Sequence, residues 1–575
     1  MSQAIALGNN DVAFIAWSYD SPIPDCLGFA VYRQSSSQPA PTPLPAWVGF
    51  EGDSNANWQP RTTEEWPVQK FSWRDLTASA GATYVYEIVP MVGTPRNLEP
   101  AADPSLRLTT NEVTLTPERS AHVRAYFNRG ILSTQHLVRS LPQGPDGGPS
   151  SAILLDHIQT VGDPLRASLA GQSIEALSSL LVKAIQQGGR CQGALYELND
   201  PELVSLLDTP ARVSLVLSNA GNGPNGDNTN ADARGRLHAD GVEVHDRMLG
   251  SGHIGHDKFL VYSAPDGSPQ TVLTGSTNWT YTGLCAQSNN AIQIDDESLA
   301  TAYLDFWNRL SAESFESPTR ATQSNALRAD NDAPRQFTID GAETTLWFSP
   351  NTHLHSKPPH DAPEPDDMKD VFDLIAGAKQ GILFLLFQPG SPSVLDAILK
   401  AQRQDHGLFV RGAATDPDAI RNYETQLHQR PGDPVAEVAA ASAVGDQFSF
   451  WQHELLKSSP DAHAIIHDKI VVIDPLSPDC VVVTGSHNLG YRASYNNDEN
   501  LLIVKGHRKL AEAYAVHVMD VYDHYRWRWL LQKHGNRAFT GLRRTSAWQD
   551  RYFARLQPEV AFWMRAAAPA PPTPV

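Results

Sequence analysis

The feature that most constrains this chain is a short pattern that occurs twice. Each copy places His-Asp-Lys beside an apolar run and then, after a turn, a Gly-Ser-x-Asn segment; the copies begin as HDKFLVYSAPDG and HDKIVVIDPLSPD. The offsets agree to within one residue, because His467 follows His256 by 211 positions and Asn488 follows Asn278 by 210. Two copies in register predict that the chain contains a duplicated half.

Within each copy, the histidine and the lysine are predicted to share one face of a strand. Residues of the same parity point to the same side, so His467 and Lys469 project together while Ile470 points the other way. The adjoining run IVVI is apolar enough to be buried, and buried Lys and His side chains normally need an anionic partner. The missing anion indicates a ligand. A structural role would be favoured for one such histidine alone, but not for a duplicated set.

These residues resemble the two HKD motifs of the phospholipase D superfamily, whose full pattern is His-x-Lys, four residues, Asp, and then a GSxN segment. The second copy matches through Asp474, whereas the first has Ser263 at the aspartate position. The resemblance implies an α/β fold of two pseudo-symmetric α-β-α lobes in one chain, and hence a monomer with an intramolecular site. The implied catalytic residues are His256, Lys258, Asn278, His467, Lys469 and Asn488, supported by Ser276, Ser486, Asp474, Glu499 and Asn289.

This residue set suits the chemistry of a phosphodiester. Lysine ammonium groups and asparagine amides can bind the non-bridging oxygens of a five-coordinate phosphorus. One neutral imidazole can attack phosphorus to give a phosphohistidine, and the other, protonated, can give its proton to the leaving alkoxide. Both states are accessible near pH 7 because the ordinary histidine pKa is about 6.5. We predict no metal or other cofactor, and we discount a metal site at His353, His355 and His360 because no Cys or Glu lies at ligand spacing.

A difference between the copies bears on the roles of the two histidines. Aligning SYNNDENLLIV with CAQSNNAIQI brings Glu499 onto Asn289. Members of the superfamily usually have an acidic residue here, bonded to a catalytic histidine of the other half. The resemblance therefore implies that Glu499 supports His256, which makes His256 the nucleophile and His467 the acid. Ser263 and Asp474 each end a strand at a turn, so we expect both side chains to bond turn amides.

The remaining sequence predicts the domain organisation. Short alternating runs separated by Pro, Ser, Gly and Asn clusters predict an all-β sandwich at the N-terminus, and GATYVYEIV with Leu76 resembles a strand corner of a fibronectin type III domain, with Trp17 in the core and Tyr84 as the corner tyrosine. We expect this sandwich over 1–118, a first lobe over 119–316, a polar linker over 317–336, a second lobe over 337–535 and a C-terminal extension over 536–575 with a disordered Pro/Ala-rich tail.

Composition limits the partners and the location. The formal charge of −19 and the lack of a Lys/Arg block give no strong nucleic-acid-binding signal, since phosphate neutralisation by basic residues supplies most of that affinity. The mean hydropathy of −0.34 and an N-terminus without a basic, apolar leader predict neither a membrane span nor a signal peptide. We therefore expect a cytoplasmic protein, with export by another route left open. Four widely spaced cysteines favour no disulfide framework.

Three functions follow from these features. The leading one is a phospholipase D-type phosphodiesterase that cleaves or transfers a phospholipid headgroup, with a peripheral membrane contact. The second is a nuclease of the same superfamily acting on DNA or RNA. The third is a non-catalytic binding or scaffold protein with a decayed first motif, for which Ser263 and Asn289 are the support. The survival of both His/Lys pairs and both Asn residues argues against the third.

Overall fold

The computed structural model describes residues 2–55, 59–128, 130, 151–221, 226–313, 315–316, 322–352, 362–415, 436–440, 466–534, 540–554 and 556–567. Two features singled out above lie outside these residues, namely the three histidines at 353, 355 and 360 and the last residues of the Pro/Ala-rich tail. Within the described residues, no helix has both the length and the apolar character needed to cross a bilayer.

The N-terminal region consists of short antiparallel strands. One sheet has the order β1-β2-β7, and the other has the order β10-β8-β3-β4 with β9 and β11 also paired to β8; β5 and β6 pair separately. The strands are β1 Gln3–Gly8, β2 Ala13–Ser18, β3 Cys26–Ser35, β4 Thr42–Pro43, β5 Pro45–Ala46, β6 Arg61–Thr62, β7 Ser72–Asp75, β8 Thr83–Thr94, β9 Asn97–Pro100, β10 Leu108–Thr109 and β11 Val113–Thr114, with a 3-10 turn at Pro104–Leu106.

The core of this region contains the predicted tryptophan and also residues from the far end of the chain. Trp17 is fully buried, and the Tyr84 hydroxyl accepts from the Ser79 amide at 3.0 Å, which is the bond expected of a corner tyrosine. Leu76, by contrast, is 49% exposed and contributes little to the core. Trp548 is buried in the same core, and its indole N–H donates to the Cys26 carbonyl at 2.9 Å. The described part of the C-terminal segment therefore completes the sandwich instead of forming a separate extension.

Two mixed sheets form the centre of the molecule, and their strand orders correspond. The first is β12-β19-β18-β17-β13-β14-β15; the second is β20-β21-β27-β26-β25-β22-β23-β24, with β16 also paired to β27. The mixed α/β class is confirmed. The strands are β12 Val123–Phe127, β13 Arg190–Leu195, β14 Val213–Ser218, β15 Glu243–Arg247, β16 Ile254–Gly255, β17 Lys258–Ser263, β18 Pro269–Gly275, β19 Asn290–Ile294, β20 Arg335–Ile339, β21 Ala342–Ser349, β22 Gly381–Leu386, β23 Phe409–Ala414, β24 Ala436–Ala440, β25 Lys469–Ile473, β26 Val481–Gly485 and β27 Asn497–Lys505.

Helices cover these sheets. They are α1 Ser151–Gln159, α2 Pro164–Ala170, α3 Ser173–Gln187, α4 Pro201–Leu207, α5 Ala231–Ala239, α6 Tyr281–Cys285, α7 Glu297–Ala312, α8 Asn325–Asp330, α9 Asp366–Ala376, α10 Val394–Gln404, α11 Tyr491–Asn496, α12 Arg508–His534, α13 Asp550–Phe553 and α14 Gln557–Met564, with 3-10 turns at Ser546–Gln549 and Arg565–Ala567. Helix α3 ends at Gly188 because glycine readily adopts the left-handed φ of +86° found there.

The segment predicted as a polar linker has more structure than expected. In its described part, the Ser324 hydroxyl caps helix α8 by accepting from the Leu327 amide at 3.1 Å. Arg328 on that helix is fully buried and donates to the Tyr495 carbonyl at 2.7 Å. A polar composition concealed these contacts, because a buried arginine bonded to carbonyl groups cannot be distinguished in sequence from a solvated one.

The two lobes meet along pseudo-symmetric backbone contacts. Strand β16 of the first lobe pairs in parallel with the start of β27, and a bridge joins Ser288 to Ile466 on the other side. A buried ion pair adds to this interface, with Nε of Arg247 2.5 Å from Oδ2 of Asp498. Ser288 occupies the position of Asp498 in the first copy, so this carboxylate is not duplicated.

Candidate active site

The two His-Asp-Lys segments lie opposite each other where the lobes meet. Strands β17 and β25 begin at Lys258 and Lys469, so each histidine lies just before its strand and not within it. The His467 amide donates to the Ser288 carbonyl at 3.0 Å, which fixes the backbone there. The two imidazole rings have centroids 6.4 Å apart, with their planes at 63°. The duplicated histidines therefore lie in one site and not in separate cavities.

Each lysine is bound within its own motif and covered by an aromatic ring. The Lys258 ammonium donates to the His256 carbonyl at 2.7 Å, and the Lys469 ammonium donates to the His467 carbonyl at 2.6 Å. Lys258 lies 5.1 Å from the ring centroid of Tyr196, and Lys469 lies at the same distance from that of Phe387. The rings are at corresponding positions, directly after β13 and β22. They shield the lysines from water.

The residues at the aligned positions 289 and 499 each reach across the interface. Nδ1 of His256 lies 3.0 Å from Oε1 of Glu499, whereas Nδ1 of His467 lies 2.9 Å from Oδ1 of Asn289 and 3.0 Å from the Ser276 carbonyl. The hydrogen bonds at Nδ1 of His467 place the proton of its neutral ring on that nitrogen and leave the lone pair on Nε2; the nearby Glu499 carboxylate favours the same tautomer of His256 by its charge. One imidazole therefore has a carboxylate behind it and the other has an amide.

Burial and neighbouring charges shift the pKa values of the site. Burial, and then repulsion from both lysines, holds the pKa of His256 and that of His467 well below 6.5. Burial also lowers the pKa of Lys258 to about 8 and that of Lys469 well below 10.5, and it raises the pKa of Glu499. Both imidazoles are therefore neutral at pH 7. A phosphodiester anion beside the lysines would offset their repulsion and favour the protonated ring.

The Gly-Ser-x-Asn segments supply positioning groups. The Ser276 hydroxyl donates to Oδ1 of Asn289 at 2.8 Å, and the Ser486 hydroxyl accepts from the Asn500 amide at 3.0 Å. The Asn488 backbone N–H donates to Oε2 of Glu499 at 2.9 Å. Ser276 and the Asn488 amide therefore orient Asn289 and Glu499, the residues behind the histidines, while Ser486 fixes the backbone at Asn500. Both asparagine side chains, at 278 and 488, line the cavity between the lobes.

The first glycine of each segment is required by the neighbouring strand. Gly275 and Gly485 have φ values of +152° and +130°, and a Cβ atom there would lie 2.3 Å and 2.4 Å from the carbonyl oxygens of Asn290 and Asn500. Any other residue would collide with backbone. Close approach of the neighbouring strand therefore requires glycine at both positions.

Asp474 and Ser263 have different contacts. The Asp474 carboxylate accepts from the amides of Lys379, Gln380 and Gly381 at 2.6 to 2.9 Å, so it ties the end of β25 to the start of β22. The Ser263 hydroxyl donates to the Gln192 side chain at 3.4 Å. Neither bonds its own turn as we expected, and neither lines the cavity. Asp474 therefore holds two strands together. Because neither Asp474 nor Ser263 lines the cavity, this difference between the two copies does not alter the cavity lining.

The middle residue of each motif is buried behind the site. Oδ1 of Asp257 accepts from the Asn500 side chain at 3.1 Å, and Oδ2 of Asp468 lies 3.3 Å from Nε2 of His517. Burial, and then the charge of Asp498, raises the pKa of Asp257 well above 3.8. The sequence analysis gave these aspartates no role, although their alternation with His and Lys indicated that they face the opposite way.

A cavity of about 410 Å³ opens between the lobes. It is lined by both histidines and both asparagines, and also by residues that the sequence analysis missed, namely Tyr196, Glu197, Phe387, Gln388 and Arg492. Aligning GALYEL with ILFLLFQ would have found the first four, because they directly follow corresponding strands. Arg492 is exposed and has Thr282 at its position in the first copy, so the cavity wall differs between the lobes.

Part of the chain is similar to known proteins. Residues 371–520 match the family model described as cardiolipin synthase, PLD-like domain, over much of the second lobe. A search of curated proteins finds no match. Among solved structures, phosphatidylserine synthase of Haemophilus influenzae is similar at 12% identity over 67% of this chain and 92% of that one, with a TM-score of 0.45.

Two further structures are similar. The phospholipase D family member Nuc from Salmonella typhimurium is 18% identical over 32% of this chain and 95% of that one, with a TM-score of 0.21. Polyphosphate kinase from Porphyromonas gingivalis is 13% identical over 57% of this chain, with a TM-score of 0.33. The chain spans 45% of that kinase. These likenesses concern the fold only.

Proposed function

We propose that this protein is a phospholipase D-type phosphodiesterase that cleaves a phospholipid headgroup, or transfers the phosphatidyl group to an alcohol, through a covalent phosphohistidine. The observation that carries the proposal is the pair of imidazoles from the two motifs, 6.4 Å apart between two buried lysines. That spacing suits one phosphorus atom, since reacting atoms meet at about 3 Å before attack.

His256 is the nucleophile in this proposal. Its Nε2 lone pair attacks phosphorus while the P–O bond to the headgroup breaks, and the proton on Nε2 of His467 goes to the departing alkoxide oxygen. The ring of His256 becomes cationic as the P–N bond forms. Glu499, 3.0 Å from Nδ1, stabilises that charge, as an orienting acid does in other histidine sites.

The second step reverses the proton transfer. Neutral His467 removes a proton from water or an alcohol, whose oxygen attacks phosphorus, and the P–N bond breaks to restore His256. The lysine ammonium groups hold the non-bridging oxygens throughout and stabilise the charge on five-coordinate phosphorus. The phosphodiester anion offsets the lysine charges that depress the pKa of His467. The ring therefore takes up a proton from solvent when the substrate binds.

The experiment that tests this function is a panel of phosphodiesters with the purified protein, with and without EDTA. We expect phosphatidic acid from phospholipids, unaffected by chelation, and an acid-labile phosphatidyl group on His256 after rapid quenching. The His122→Ala variant, which removes a mostly exposed imidazole, serves as a matched control. Cleavage of plasmid DNA in preference to lipid would replace the lipid substrate by a nucleic acid, and activity abolished by EDTA would contradict the mechanism.

A further inference from the structure

Asn488 is displayed in the cavity by an unfavourable backbone turn. Among the residues that the structure describes, its Oδ1 atom is buried without a hydrogen-bond partner, so the turn that carries the side chain sets its position. The next residue, Leu489, is fully buried and has a φ of +59°, a left-handed conformation that costs free energy in any residue with a Cβ atom. Such a conformation persists only where neighbouring contacts hold it.

The His487 ring supplies one of these contacts. Its Nδ1 atom accepts from the Leu489 N–H at 3.0 Å. Its Nε2 atom lies 3.2 Å from the Ser494 hydroxyl and 3.4 Å from Oδ2 of Asp367, which is in the first turn of helix α9. The ring is almost completely buried, so water does not replace either contact. It therefore ties the turn beside Asn488 to the helix layer behind it.

This geometry needs the neutral ring. Nδ1 accepts a hydrogen bond only while it has no proton, so the one proton of the ring is on Nε2, facing Ser494 and Asp367. Burial lowers the pKa of His487, and the Asp367 carboxylate more than offsets this, so the pKa is raised. The Leu489 N–H opposes the second proton that Asp367 favours. One nitrogen of the ring thus serves the turn, and the other serves helix α9.

The first lobe holds the equivalent turn in another way. Trp279 occupies the position of Leu489, and its N–H donates to the Glu197 carbonyl at 3.0 Å. Thr277 occupies the position of His487 and has no ring nitrogen to accept from that N–H. A backbone carbonyl therefore fixes the turn in the first lobe, whereas an imidazole fixes it in the second.

We infer that His487 is a positioning residue whose Nδ1 atom fixes the turn at Leu489 and thereby points the Asn488 side chain into the cavity. The same turn directs the Asn488 N–H to Oε2 of Glu499, the carboxylate behind His256. His487 thus acts on the reaction centre through two neighbouring groups, without touching the substrate. The inference rests on the proposed function and adds a residue to it.

Two substitutions separate the two nitrogens of the ring. The side-chain oxygen of asparagine is two bonds from Cβ, as Nδ1 is, so His487→Asn keeps the acceptor for the Leu489 N–H and loses the distant donor. The amide nitrogen of glutamine is three bonds from Cβ, as Nε2 is, so His487→Gln keeps the donor and loses the near acceptor. The matched control is His507→Gln, because Nδ1 of His507 accepts from the Leu510 N–H at 3.3 Å and His507 is not in the cavity lining.

The rates of these variants test the inference. We expect His487→Gln to lower kcat by about 10²-fold with a less than about twofold change in KM, because a misplaced Asn488 weakens contacts made in the transition state while the lysines still attract the substrate. His487→Asn should stay within about fivefold of wild type in kcat, and His507→Gln within about twofold. Urea denaturation of each variant checks that the assayed protein is folded.

Hydrogen exchange gives a readout that needs no turnover. Mass spectrometry of a peptide that spans residues 488–490 should show slow exchange of the Leu489 amide in wild type and in His487→Asn. His487→Gln should show faster exchange of the same amide, because its partner at Nδ1 is lost. A role of His487 as the partner of Asp367 alone would not produce this difference.

Three outcomes separate the inference from its alternatives. If His487→Gln retains more activity than His487→Asn, the ring serves Asp367 and the inference is wrong. If wild type cleaves phosphodiesters but the Leu489 amide exchanges equally in both variants, the inference is again wrong and the proposed function stands. If the expected exchange pattern occurs in a protein that cleaves no phosphodiester, the proposed function is wrong and the hold of His487 on the turn is supported.

Discussion

The two lobes have corresponding strand orders and matching His, Lys, Ser and Asn residues, but they differ around the site. Glu499 corresponds to Asn289, and the cavity wall has Glu197 and Thr282 on the first lobe where the second has Gln388 and Arg492. In the proposed reaction, the matching residues hold and attack phosphorus. The differing residues give the two imidazoles different partners and make the two sides of the cavity chemically different. In that reaction, the residues that match form the centre, and the residues that differ distinguish the roles of the two histidines.

The largest expected effect comes from removing each histidine in turn. His256→Ala should lower kcat/KM by at least about 10³-fold for every phosphodiester, because no nucleophile remains. His467→Ala should cause a comparable loss with alkyl esters but much less with p-nitrophenyl esters, whose leaving group needs no proton. Steady-state rates with both ester types check this. A p-nitrophenyl ester that rescues His256→Ala instead would reverse the two roles.

The next effect concerns the ion pair between the lobes. Arg247→Met leaves the buried carboxylate of Asp498 without its main partner, and we expect a loss of about 3 kcal/mol in the free energy of unfolding, as for other broken buried pairs. Adding Asp498→Asn to that variant should restore part of the loss. Urea denaturation followed by tryptophan fluorescence gives the three values. If Asp498→Asn lowers the free energy of unfolding of the Arg247→Met variant by about 3 kcal/mol more, the two side chains do not stabilise each other.

Exchanging the groups behind the histidines should change activity by about 10²-fold. Glu499→Gln gives His256 an amide like that behind His467, so the cation formed during attack loses its carboxylate. Adding Asn289→Asp places a carboxylate behind His467 instead. The phosphatidyl group trapped on the enzyme should then shift from residue 256 toward residue 467. Mass spectrometry after quenching would locate it. Label that stays only on 256 would show that the carboxylate does not select the nucleophile.

Asp474 and Ser263 offer a comparison in stability. Asp474→Ser gives the second lobe the residue of the first and removes a charged acceptor shared by three amides, so we expect a loss of about 2 kcal/mol in the free energy of unfolding. Activity at 25 °C should change less than twofold, because the residue lies outside the cavity lining. A large fall in kcat without a fall in stability would place Asp474 in the catalytic machinery.

The sequence could predict the features that depend on local pattern. Strand parity put His467 and Lys469 together, and the register of the two copies put Glu499 opposite His256 through the resemblance. The sequence could not show that Trp548 enters the core of the N-terminal sandwich, because that contact joins residues more than 500 positions apart. Glu197 was missed for a related reason, since a single acidic residue after a strand is not distinctive until that strand is aligned with its counterpart in the other copy.

The smallest expected effect is the pH dependence of kcat/KM and KM. Because the pKa of His256 is held below 6.5, kcat/KM should not fall on acidification until the pH drops below that value, where protonation removes the Nε2 lone pair. On the alkaline side, KM should rise severalfold above about pH 8 as Lys258, whose pKa is about 8, loses the charge that binds phosphate. Lys258→Arg would keep its charge and should remove that alkaline rise if packing is retained. An acid limb above pH 7 in kcat/KM would instead indicate that the imidazoles are protonated before the substrate arrives.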